Sequence, residues 1–140
     1  MGTILCATRG GEESYCTQDQ AIALAIEQGD TLVFLYVVDT HFLDNTAAPI
    51  MIDVEDELYN MGKFLLLMAQ ERAREQGVEA EMICRKDGVR ETIKRAALEI
   101  EATQIILGRP CGEDSAFRIA DLLAFAVSIE NDTGIEVKIV

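Results

Sequence analysis

The sequence predicts an α/β domain built on a doubly wound, five-stranded parallel sheet. Three observations carry that expectation: five short apolar runs are separated by four helical patterns, most of the runs lack polar alternation, and every connection is long enough for a right-handed helical crossover. The 140 residues fit one domain spanning 1–140, with no Pro-rich or Gly/Ser-rich linker and no internal repeat.

Thr3 to Thr8 is the first apolar run and leaves through Arg9-Gly10-Gly11, a turn signal. Ser14 is placed to cap the first helix, Thr17 falls in its first turn, and Gly29 follows its last apolar stretch. Leu32 to Val38 is β-branched and aromatic throughout, as a strand covered on both faces requires. Asp39 to Met51 reads as a loop. Val54, Leu58, Met61, Leu65, Met68 and Arg72 then recur at steps of four and three, which predicts one face of a long helix ending near Gly77. Asp53, Glu55, Asp56 and Glu57 fall in the first turn of that helix, where the dipole favours negative charge. Val78 to Cys84 alternates and is expected at a sheet edge. Asp87 is placed to cap a third helix carrying Val89, Ile93, Ala96, Ala97 and Ile100 on one face. Gln104 to Gly108 is the fourth strand, a helix from about Asp114 to Glu130 follows, and Ile135 to Val140 closes the chain as the fifth strand.

A formal charge of −13 and a pI near 4.3 argue against nucleic acid as a partner, because there is no excess of Lys and Arg to displace counterions from phosphates. An anionic membrane surface is disfavoured for the same reason, and no apolar run reaches the roughly 18 residues of a bilayer span, so membrane insertion is not expected. The N-terminus runs into a strand without the marks of a signal peptide, which places the protein in the cytoplasm as an expectation.

Cys6, Cys16, Cys84 and Cys111 are scattered without a C-x-x-C pair, so no zinc site is indicated; Cys6 and Cys84 read as buried strand residues. Cys16 and Cys111 are the two thiols whose positions allow activation, although free cysteines are ordinarily inert. His41 has no partner for metal binding or catalysis, and the carboxylates from Asp53 to Glu57 read as a helix start. No metal, no resident cofactor and no catalytic residue is expected.

Ligands of doubly wound sheets bind beyond the carboxyl ends of the strands, near the point where strand order reverses. That directs attention to Ala7, Thr8, Arg9 and Gly10 after the first strand, Val37 in the second, and Gly108, Arg109 and Gly112 after the fourth. Arg9 and Arg109 are cations at the edge of a strongly acidic protein. Two readings stay open for them: they hold a small anion or a nucleotide phosphate, or they pair with Glu12, Glu13, Glu113 or Asp114 and close the cleft.

Ile4 to Ser14 resembles the opening of universal stress proteins, whose first strand runs into an Asp-Gly-Ser turn followed by acidic residues. Tyr36-Val37-Val38-Asp39 is similar to the end of that family's second strand. Lys86-Asp87-Gly88 followed by Ile93 and Ala97 resembles its third strand-to-helix junction, and Ile105 to Arg109 its fourth strand and glycine turn. The resemblance spans the whole chain and implies a Rossmann-like sheet of the universal stress protein type, in a regulatory or stress-response protein. Its nucleotide-binding motif departs from the pattern. Members that bind ATP carry G-x-x-G, nine further residues, then Gly-Ser or Gly-Thr, which cradle the phosphates. In this chain Cys111 stands in place of the second glycine, Gly112 comes one position late, and the positions ten beyond are Asp121 and Leu122. Arg9 replaces the first-loop Asp, Gly11 replaces its Ser, and Glu12, Glu13, Glu113 and Asp114 would repel a triphosphate.

The expected function is therefore non-catalytic, exercised through dimerisation and binding of a protein partner or transporter, without ATP binding in the family manner. The alternative is a module for AMP, ATP or a small anion, using Ala7, Thr8, Val37 and Gly108 at the strand ends. A remote alternative is an ATP-pyrophosphatase-type enzyme, since Arg9 to Ser14 imperfectly resembles the S-G-G-x-D-S loop of that class. A homodimer is expected through the last strand and last helix, with Phe125, Ile129, Ile135, Val137 and Ile139 at the interface. The strand ends the chain as an edge, and apolar residues surround the helix axis. The resemblance implies the same antiparallel contact.

Overall fold

The apolar runs become strands β1 (Thr3–Ala7), β2 (Thr31–Val38), β3 (Ala80–Lys86), β4 (Gln104–Leu107) and β5 (Glu136–Ile139). Between them lie helices α1 (Tyr15–Gln28), α2 (Ala48–Glu75), α3 (Val89–Glu99) and α4 (Ser115–Thr133). The computed structural model describes residues 2–8, 14–38, 48–86, 88–108 and 115–140, and describes side chains for all of these except 48–55, 89 and 115–119.

All four strand pairings are parallel, in the order β3-β2-β1-β4-β5, so the sheet is the expected doubly wound one. The absence of polar alternation has a direct cause: both faces are covered. On one face Ile4, Cys6, Leu32, Phe34 and Ile106 pack with Ala21, Ile22 and Ala25 of α1 and Leu66, Ala69 and Ala73 of α2. On the other, Leu5, Val33, Leu35, Ile105 and Leu107 pack with Ile93, Ala96 and Ala97 of α3 and Phe125 and Ile129 of α4. Adjacent strand residues point to opposite layers, so an unbroken apolar run feeds two cores at once.

Helix α2 departs from expectation in two ways. It begins at Ala48, so part of the expected loop is helical; Pro49 is tolerated in the first turn, where an N–H has no partner to lose, and the acidic run lies further along. Its buried stripe is Gly62, Leu66, Ala69 and Ala73, whereas Met61 and Met68 of the predicted face are exposed together with Phe64 and Leu67. Three of these four are small, which lets the helix approach the sheet, and Leu66 fills the layer between them. A Cβ on Gly62 would lie 2.6 Å from the Tyr36 ring and 3.2 Å from the Cys84 sulfur.

Ser14 occupies the N-cap of α1 in αR geometry and makes no capping hydrogen bond through its side chain, against the expected cap. Gly88 stands at the N-cap of α3, where Asp87 was expected and which lies outside the described residues. Gly29 closes α1 in the left-handed conformation, φ 68°, as a glycine after the last helical residue can.

Candidate functional site

The chain runs outward from β1 through β2 to β3, then returns to lay β4 against the other side of β1. The strand order therefore reverses between β1 and β4, and the carboxyl ends there are Ala7 and Leu107, which pair in register. Thr8 continues beyond β1, donating its N–H to the Leu35 carbonyl at 2.9 Å. Gly108 continues beyond β4.

Helix α1 roofs this point with polar side chains. Gln18 is 2% exposed, and its amide nitrogen donates to the Thr8 hydroxyl at 3.0 Å, while its amide oxygen has no hydrogen-bond partner among the described residues. Ser14 and Thr17 are buried beside it. Gly108 is favoured by contact: a Cβ there would run into the Thr17 hydroxyl oxygen. Thr8, Ser14, Thr17, Gln18 and Gly108 thus form a buried, uncharged polar cluster at the switch point. Its unpartnered acceptor is an offer to a donor group, since a buried polar atom left alone is costly. Beneath it, burial pushes the Cys6 thiol up to about 12, which keeps it protonated.

Of the residues singled out from sequence, Ala7, Thr8 and Gly108 meet at this point. Val37 is in β2 and packs on the layer formed by α3 and α4. Arg9, Gly10, Arg109 and Gly112 lie outside the described residues, as do His41, Cys111 and the carboxylates Glu12, Glu13, Glu113 and Asp114. Cys16 is exposed on α1, and Cys84 is buried as expected. Among the described residues no group of three or more His, Cys, Asp or Glu is arranged to hold a metal. Sequence reasoning missed Gln18. The available signal was a polar residue on the inward face of α1, four before Ile22 and seven before Ala25.

The interface residues divide. Phe125 and Ile129 are buried in their own layer, and Ile135 is 9% exposed, so they belong to the core of the single chain and present little surface to a partner. The helical period turns Leu123 and Val127 outward instead, at 53% and 57% exposure. Val137 and Ile139 are partly buried on the edge strand.

The sequence model of the universal stress protein family matches residues 1–111. The chain belongs to that family. Solved structures of similar fold include universal stress protein UspA from Lactobacillus plantarum, 20% identical with a TM-score of 0.79 over 99% of this chain and 97% of the other. A universal stress protein in complex with cAMP is 21% identical, TM-score 0.71, over 99% and 96%. The universal stress protein from Archaeoglobus fulgidus in complex with dAMP is 16% identical, TM-score 0.63, again over 99% and 96%. No curated protein sequence matches. Among the described residues, no helix is long and apolar enough to cross a membrane.

Proposed function

We propose that this member of the family is a non-catalytic regulatory protein that acts as a homodimer and does not hold ATP in the manner of the family's ATP-binding members. One observation carries the second half of that reading. Asp121 and Leu122, the positions where the Gly-Ser pair of the phosphate cradle would fall, lie inside α4 (Ser115–Thr133). Beyond the first turn of a helix the backbone N–H groups are committed to carbonyls four residues back, so they have nothing left for a phosphate. The glycine and hydroxyl of the cradle are missing as well.

A second reading is supported by the switch point itself. The unpartnered Gln18 amide oxygen could accept from an amino group, and two structurally similar proteins were solved with cAMP and dAMP. An adenine mononucleotide needs less of the lost motif than a triphosphate does.

Calorimetry separates the two. Magnesium ATP is expected to bind no tighter than about millimolar, a standard free energy near −4 kcal/mol. Micromolar ATP affinity would overturn the proposal. Micromolar AMP or cAMP binding that is lost in Gln18→Leu, with ATP still weak, would establish the mononucleotide module in its place.

A further inference from the structure

We propose that the outer face of α2 docks a basic amphipathic helix of another protein. The face carries a seam. Glu57, Met61, Phe64, Met68, Glu71 and Glu75 recur at steps of four, three, four, three and four, which holds them on one line of the helix, and all six are exposed. Met61, Phe64 and Met68 are 48%, 61% and 39% exposed, and Leu67 beside them is 49% exposed. Single exposed apolar residues are ordinary, but four large ones within about two turns form a patch of the kind that marks a contact surface. The fold of the single chain does not use this patch, because α2 is anchored through its opposite stripe by Leu66, Ala69 and Ala73. Spacing of three and four is what a second helix needs for its own side chains to interlock, and methionine adapts to the shape it meets.

Charge selects the occupant. Carboxylates close both ends of the seam, Glu57 before Met61 and Glu71 and Glu75 after Met68. Glu57 and Glu75 have no ion-pair partner among the described residues, while Glu71 takes Arg74 at 2.6 Å. The neighbouring cations are turned to the sides: Arg72 holds Asp19 of α1, and the Lys63 ammonium lies 4.7 Å over the Tyr59 ring. If α2 paired with its own copy, parallel or antiparallel, acidic ends would fall on acidic ends, and each copy would bring a formal charge of −13. An anionic lipid surface meets the same repulsion. A helix with an apolar seam and Lys or Arg beyond each end satisfies both the patch and its rim. The seam from Glu57 to Glu75 is roughly 27 Å long, which matches a partner helix of about 18 residues. This face belongs to the layer of α1 and α2, whereas α4 packs on the other, so neither the homodimer nor nucleotide binding decides the outcome.

The test is calorimetry of the full chain with a synthetic peptide of about 18 residues, leucine at the first and fourth positions of each heptad and lysine elsewhere. Two control peptides accompany it, one of the same composition in scrambled order and one with glutamate in place of lysine. One saturable site per chain is expected for the ordered lysine peptide, with helix gained in circular dichroism and affinity falling as salt is added. Phe64→Ser with Met68→Ser is expected to weaken binding at least about tenfold, and Glu57→Gln with Glu75→Gln to weaken it less. All four side chains are exposed, so these variants keep the fold. Leu123→Glu with Val127→Glu is expected to leave the site in place. Absence of saturable binding overturns the proposal. Equal binding of the scrambled peptide does so too, since it reduces the effect to net charge, and equal binding of the glutamate peptide removes the basic partner. Loss of binding in the Leu123 and Val127 variant with retention in the Phe64 and Met68 variant moves the contact to α4 and defeats the assignment. A fall in oligomeric state for Phe64→Ser with Met68→Ser, read by light scattering without peptide, makes the occupant a second copy instead.

Discussion

Gly62 lies in the middle of a long helix, where alanine would be better by about 1 kcal/mol on helix propensity alone. Its presence is explained by the Tyr36 ring and the Cys84 sulfur, which occupy the space a methyl group needs. Gly62→Ala is therefore expected to lower the urea midpoint, since overpacking of this kind costs about 1–3 kcal/mol, while Asn60→Ala on the exposed side of α2 raises it. An increase for Gly62→Ala would mean the helix yields without strain. Cys6 sets a pH dependence. Its thiol goes from an ordinary 9.0 to about 12 through burial, so the unfolded chain ionises first. The stabilising contribution is complete below 9.0 and is lost as the pH rises through about 12, because the unfolded state then binds fewer protons. Denaturation midpoints measured across that window are expected to fall with pH more steeply than in Cys6→Ala. Exposed Cys16 is expected to react with thiol reagents in the native state, and buried Cys6 only after unfolding.

At the scale of elements, β1, β2 and β4 were legible because burial on both faces leaves no polar alternation to misread. Helix α2 was harder. Apolar periodicity identified it, but three of the four residues on its buried stripe, Gly62, Ala69 and Ala73, carry little hydrophobic weight beside Leu66, while bulky Met61, Phe64, Leu67 and Met68 stay outside. A reading that weights side chains by size selects the wrong face whenever close approach is what the packing rewards. Helix α4 shows the converse. Its apolar residues surround the axis in the sequence, yet only placement against the sheet determines that Phe125 and Ile129 turn inward and Leu123 and Val127 outward.

For the whole molecule the expected assembly is a two-fold dimer in which β5 edges pair and the exposed residues of α4 meet. Light scattering at micromolar concentration is expected to give a dimer. Leu123→Glu with Val127→Glu should convert it to a monomer without loss of helix content, because both side chains already face solvent. Each subunit carries a formal charge of −13, so added salt should tighten the dimer by screening repulsion. A monomer at every salt concentration, or a dimer indifferent to the double substitution, removes this interface.

Local patterning determined the element order, the parallel sheet and the lost nucleotide motif, because strand periodicity, glycine turns and motif spacing are written in neighbouring residues. The meeting of Ala7, Thr8 and Gly108 followed from topology rules applied to that order. Tertiary structure decided the rest. It brought Thr8, Ser14, Thr17 and Gln18 into one buried cluster and set the end of β3 beside α3. These groupings depend on the rotation of each helix about its axis and its distance from the sheet. Both are set by which small residues permit contact, and no stretch of sequence contains that information by itself.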